Sequence, residues 1–111
     1  MVVALPELGG RALELRDQVR EFMRARFFPE EHRFYEAVRS DRWARPSVIE
    51  EWKSAARQRG LWNLFLPDPD LGAGLTHLEY AHIAEEMGRS VIASEIFNCS
   101  APDTGNMEVL W

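Results

Sequence analysis

Only one stretch of this sequence reads as a β-strand, and a strand without a partner has nothing to hydrogen-bond. Leu61-Trp62-Asn63-Leu64-Phe65-Leu66 lies between Gly60 and Pro67. It is apolar and too short for a helix of its own. With no second strand-like run in the chain, it reads as a packed extended connector, and the remaining structure has to be helical. The expected fold class is therefore all-α, an up-and-down helical bundle. A length of 111 residues leaves room for one domain and no second core.

The helices announce themselves through period and punctuation. Between Ala12 and Phe27, the apolar residues Leu15, Val19, Phe22 and Met23 recur at spacings of three and four among charged neighbours, which predicts an amphipathic helix. Pro29 stops it, and also suits the first position of a second, brief helix, where its missing amide proton is not needed. Phe34, Tyr35 and Val38 give that helix a short apolar stripe, and residues 40–45 read as a connector. Pro46 opens a third helix with Val48, Trp52, Ala55 and Ala56 inward, and Gly60 stands where a left-handed C-terminal residue is wanted.

Residues 67–74 hold two prolines and two glycines and form a loop. Thr76 and Glu79 then make a capping box, flanked by Leu75 and Tyr80 in the positions of a hydrophobic staple. Tyr80, Ile83, Ala84 and Met87 are the expected core face, with Gly88 as the end. Val91 to Cys99 predicts a short helix with Ile92, Ile96 and Cys99 inward, interrupted or kinked by Ala101-Pro102-Asp103. A last helix runs from Thr104 with Met107, Leu110 and Trp111 on its apolar side. No stop signal follows Leu110, so the last helix is expected to be truncated and its apolar stripe to be covered by another domain or subunit.

Composition excludes several functions. A net charge of −5, with arginines interspersed among acids, offers no basic face for nucleic acid. No run reaches the roughly 20 apolar residues of a membrane span, and Glu7, Arg11 and Glu14 come too early for a secretory signal. Cys99 is the single cysteine, which rules out an internal disulfide and makes a reducing, cytoplasmic setting the default expectation.

The motifs for autonomous chemistry are incomplete. Glu79 and His82 have the Glu-x-x-His spacing of di-iron bundles, but no second such pair exists and Glu79 already serves the capping box. His77 and His82, five apart, fall on different helix faces. Cys99 has no histidine near it in sequence and sits in an apolar run, so it reads as an inert buried thiol. The glycines form no phosphate-cradling loop between a strand and a helix. No residue here is expected to be catalytic, to bind a cofactor unaided or to ligate a metal.

The same residues nonetheless carry a resemblance. The helix Leu15–Phe27, the Gly60-Leu61-Trp62-Asn63-Leu64-Phe65-Leu66-Pro67 segment, the helix end Glu85-Glu86-Met87-Gly88-Arg89-Ser90 and the run from Phe97 through Ala101-Pro102-Asp103-Thr104-Gly105-Asn106-Met107-Glu108 to Leu110 together resemble the N-terminal helical domain of acyl-CoA dehydrogenases. The last run is the most specific, and is similar to the branch of kinase-fused, long-chain-type enzymes and their bacterial relatives.

The resemblance implies an enzyme of three parts, of which residues 1–111 would be the first, with a middle β domain and a C-terminal four-helix bundle to complete it. Its substrate would be an acyl-CoA and its cofactor FAD, held by the other domains. In that family a glutamate of the C-terminal bundle takes the α proton while the flavin accepts the β hydride. The 111-residue chain alone would be inactive, and the complete enzyme would be a homo-oligomer. Phe97, Ser100, Ala101, Thr104 and Gly105 are the implied wall of the acyl-chain pocket. The alternative is that they only pack one helix on the next. A second reading of the whole chain is a non-catalytic helical module that binds a partner through its open face.

Overall fold

A computed structural model describes residues 8–111. The earlier reading of the N-terminus as lacking a secretory signal rests partly on residues 1–7 and lies outside the described residues. The elements are α1 (Gly10–Phe22), a π-helical turn (Met23–Phe27), a 3-10 turn (Phe28–Glu30), α2 (Glu31–Ser40), α3 (Ser47–Gln58), α4 (His77–Met87), α5 (Ala93–Ile96) and α6 (Asp103–Leu110). Among the described residues there is no strand. No helix among the described residues is long and apolar enough to cross a membrane.

The all-α expectation holds, with three local corrections. The first helix runs to Phe27 and Pro29 stands at the start of the turn into the second, as expected, but the last turn before it is π rather than α. An unbroken α-helix would set the proline ring against the carbonyl of Ala25 and forfeit one ladder bond. The chain instead widens into the π turn, whose closing bond runs from the Phe28 amide to the Met23 carbonyl, and then tightens into the 3-10 turn containing Pro29. Helical winding continues from α1 to α2, and the wider turn keeps Met23 and Phe27 fully buried.

The connector Leu61–Leu66 is packed but bent rather than extended. Asn63 takes φ 55°, in the left-handed region, and this turns the segment so that Leu61, Leu64, Phe65 and Leu66 are all buried. The helix expected over Val91–Cys99 contracts to the single turn Ala93–Ile96, leaving Val91 in solvent. Asn98, again at φ 55°, ends any continuation of that turn.

Other signals translate directly. Gly60 adopts φ +72° and closes α3 with a Schellman pair, the Leu61 amide donating to Ala56 O at 2.9 Å and the Gly60 amide to Arg57 O at 3.0 Å. The Thr76 hydroxyl accepts from the Glu79 amide at 3.1 Å, and the Glu79 carboxylate accepts from the Thr76 amide at 3.0 Å.

The core lies between α1 with its π extension, α3, α4 and α5. Val19, Phe22, Phe27, Trp52, Ile83, Ile96 and Phe97 are all sealed from solvent. Phe22 meets Phe97 edge-on at 5.3 Å, and Phe27 meets Trp52 in the same way at 4.9 Å. Lys53 of α3 reaches Glu95 of α5 at 3.3 Å, and Arg33 of α2 reaches Glu51 of α3 at 2.8 Å. α6 lies outside this core, with no fully buried residue.

Candidate functional site

The segment that leads into α6 is built from turns. The Cys99 amide donates to Ser94 O at 2.9 Å, the Thr104 amide to Ser100 O at 3.2 Å and the Asn106 amide to Pro102 O at 3.3 Å. The Ala101–Pro102 peptide is cis. These bonds wind the chain from the core outward, so that α6 runs along the surface with a recess on each side.

One recess, of about 190 Å³, is lined by Thr104 and Glu108 of α6 together with Phe65, His77, Tyr80 and Cys99. Burial pushes the Tyr80 phenol well above its ordinary pKa and raises that of the Cys99 thiol. Both stay protonated at neutral pH, so neither serves as a nucleophile or a base. The Cys99 thiol donates to Phe97 O at 3.3 Å, as suits the inert thiol that its apolar sequence context suggests.

The other recess is more apolar, holds about 260 Å³, and is lined by Asn63, Leu66, Leu71, Met107, Leu110 and Trp111. The Trp111 indole donates to Asp68 Oδ2 at 3.0 Å, tying the end of α6 to the loop below it. Asp68 Oδ1 in turn accepts from the amides of Asp70 and Leu71, both at 2.8 Å. Leu71, Leu110 and Trp111 remain largely exposed, so the apolar side of α6 faces outward and has no cover among the described residues.

The five residues singled out from sequence fall at different depths. Phe97 is fully buried, with its ring against Phe22. Ser100 and Thr104 are half-buried, while Ala101 and Gly105 are exposed. A Cβ built on Gly105 would meet nothing within 4 Å. Thr104, Glu108 and Gly105 therefore lie within about 100° of arc on α6, with Gly105 leaving one edge of that face free of side-chain bulk.

Sequence reasoning passed over a pair of asparagines beneath this face. Asn98 Nδ2 donates to Asn63 Oδ1 at 2.7 Å and lies 3.8 Å from Met107 Sδ. Asparagine is one of the few residues that tolerate a left-handed backbone, and that tolerance was the available signal. Glu86, a buried carboxylate on α4, also gave no warning.

The sequence profile of the acyl-CoA dehydrogenase N-terminal domain matches residues 11–108. The chain belongs to the acyl-CoA dehydrogenase family. It is 47% identical, over 99% of its length, to acyl-CoA dehydrogenase family member 10 of Mus musculus, of which it covers 11%. It is also 44% identical, over 93% of its length, to the probable acyl-CoA dehydrogenase FadE2 of Mycobacterium tuberculosis, covering 26% of that protein. A solved structure from Mycobacterium abscessus, assigned as an acyl-CoA dehydrogenase, superimposes with a TM-score of 0.84 at 46% identity, covering 95% of this chain and 28% of that one. The chain thus spans between about a tenth and a quarter of the length of these curated relatives.

Family membership raises the question of flavin. A third recess, about 290 Å³ between α2, α3 and α5, is lined by Arg45, Glu50 and Glu95 as well as apolar groups. It falls at the lower edge of the roughly 300–1,000 Å³ that enclose a drug-sized ligand, and FAD is larger than most such ligands. No glycine-rich turn directs backbone amides at a pyrophosphate. The described residues of this acyl-CoA dehydrogenase domain do not by themselves fit FAD.

Proposed function

We propose that this chain is the N-terminal helical part of a FAD-dependent acyl-CoA dehydrogenase that removes hydrogen across the α,β bond of an acyl-CoA, and that its α6 face forms one wall of the acyl-chain pocket. Ser100, Ala101, Thr104 and Gly105 supply the surface of that wall, and Phe97 backs it from the core. The observation that carries this reading is the open face around Gly105, where a Cβ would meet nothing within 4 Å. Small residues at an exposed helix surface let a hydrocarbon chain approach closely, and a pocket for such a chain needs apolar lining with few polar groups.

Proton abstraction and flavin binding fall, on this reading, to a middle β domain and a C-terminal bundle, which also assemble the oligomer. FAD held by those domains would supply the redox chemistry. The part played by the present residues is to hold the tail and exclude water from it. The outward apolar flank formed by Leu71, Leu110 and Trp111 lies across α6 from the recess lined by Thr104 and is, on this reading, covered by the remaining domains.

The test is to combine the chain with the two remaining domains, load the complex with FAD and add an acyl-CoA under anaerobic conditions. Bleaching of the flavin absorbance supports the proposal. A folded, flavin-loaded complex whose spectrum is unmoved by acyl-CoAs of any length rejects it in favour of the non-catalytic module.

A further inference from the structure

The chain uses left-handed backbone at four described positions, and they divide by residue type. Gly60 and Gly74 take φ values of +72° and +68°, whereas Asn63 and Asn98 both take 55°. Glycine reaches this region at less steric cost than asparagine. An asparagine in such a place therefore calls for work by its side chain, and here the two side chains bond to each other.

The bond joins the bent 61–66 connector to the segment that leads into α6. Asn98 Nδ2 donates to Asn63 Oδ1 at 2.7 Å, while the Asn63 amide donates to Phe97 O at 3.1 Å. Asn63 Nδ2 donates to Leu71 O at 3.3 Å, which brings in the 67–74 loop. Asn98 Nδ2 also lies 3.8 Å from Met107 Sδ, on α6 itself. α6 has no fully buried residue. Among the described residues, the side-chain hydrogen bonds that fix α6 and its end to the rest are this one to Met107 and the one from Trp111 to Asp68.

We propose that the Asn63–Asn98 amide pair is a latch that sets the position of α6, and so the position of the acyl-pocket wall, which makes Asn98 a positioning residue for the acyl tail. The proposal rests on the function proposed above. The latch does not touch the reacting atoms. It acts by holding Thr104 and Gly105 at a fixed distance from the core, so its loss weakens acyl binding and spares the chemical step.

Two variants separate the latch from simple folding effects. Asn98→Gly keeps the left-handed backbone and removes the amide, whereas Asn63→Asp keeps the backbone tolerance and the acceptor for Asn98 Nδ2 and gives up the bond from Asn63 Nδ2 to Leu71 O. Hydrogen exchange is read on the chain, and KM and kcat for an acyl-CoA on the reconstituted flavoenzyme. In Asn98→Gly the amides of residues 103–110 should exchange about fivefold faster, the change expected from one lost hydrogen bond. Those of Val19 and Ile83 should stay as in the wild type, and KM should rise by a similar factor at unchanged kcat. Asn63→Asp should keep wild-type exchange over residues 103–110 and wild-type KM, with faster exchange confined to the 67–74 loop that loses the bond to Leu71 O.

Unchanged exchange in α6 of Asn98→Gly, an Asn63→Asp variant as impaired as Asn98→Gly, or faster exchange with an unaltered KM each overturns the latch. A wild-type enzyme whose flavin is not reduced counts against the functional reading instead, and the exchange of α6 then decides by itself whether the latch exists.

Discussion

Glu86 of α4 is buried, and its Oε1 accepts two hydrogen bonds from the half-exposed Arg20 of α1, at 3.0 Å from Nε and 2.7 Å from Nη2. Its other oxygen lies 3.3 Å from Arg89 Nε. The two helices that frame the core are thus joined by a carboxylate held charged between guanidinium groups. Truncating one partner would leave the other without compensation, so the pair is expected to matter more than a surface ion pair such as Arg24–Glu21.

The hydrogen bond from Arg20 holds the Glu86 carboxyl below its ordinary pKa, with the charges of Arg20, Arg89 and Arg16 adding to the effect. A depressed folded-state pKa contributes stability that is present above the unfolded value of about 4.3 and is lost as pH falls through the folded one. Glu86→Gln should therefore lower Tm at neutral pH, and the gap from wild type should close as the solution is acidified below about pH 4. Thermal melts across pH check this, and a gap that stays constant into acid would deny the charge its role.

Gly72 is required by a close approach. A Cβ there would lie 2.1 Å from Leu66 O and 2.7 Å from Leu66 Cβ, and the first of these is backbone that cannot swing away. Gly72→Ala should cost about 1–3 kcal/mol by overpacking. Gly105→Ala, on an open helix face, should be neutral or stabilising by up to about 1 kcal/mol. Urea unfolding of both variants gives the comparison.

Phe97 belongs to the core as much as to the proposed wall. Phe97→Ala should cost about 3–5 kcal/mol, as expected for removing a buried aromatic ring. Its edge-on contact with Phe22 should appear in a double-mutant cycle with Phe22→Ala as a coupling of about 0.5–1.5 kcal/mol. Additive effects would mean that the two rings are independent.

The capping box at Thr76 should be worth about 1 kcal/mol, measured as the loss in Thr76→Ala. The loss should appear in amide exchange first at the N-terminal turn of α4, because the orphaned donor is the Glu79 amide. Uniformly faster exchange along α4 would point to a wider role.

How much of this was legible in the sequence depended on whether a signal was local. Thr76 with Glu79, and Gly60 after Arg59, are complete instructions within one helical turn, and both were realised as read. Pro29 was read as the boundary between two helices, and it is, but the π and 3-10 turns around it were not foreseen, because Phe22, Met23 and Phe27 had apolar surface to bury up to that boundary. Wider and tighter turns reconciled the two demands. The Leu61–Leu66 segment was read as packed, correctly, but its bend depends on Asn63, whose amide is held by Asn98 far along the chain. Glu86 looked like a surface residue until Arg20 was brought against it. The candidate wall was read from a family motif, and the depth of each residue in it follows from how α6 leaves the core, which no periodicity encodes.

The central claim is that the face of α6 around Gly105 borders an acyl tail. Gly105→Phe in the reconstituted flavoenzyme, assayed against acyl-CoAs of increasing length, tests it most directly, since a Cβ at Gly105 would meet nothing within 4 Å in this domain. The account predicts that KM rises severalfold for the longer acyl chains while short ones are used as before. An unchanged length profile in a stable, flavin-loaded Gly105→Phe enzyme would contradict it.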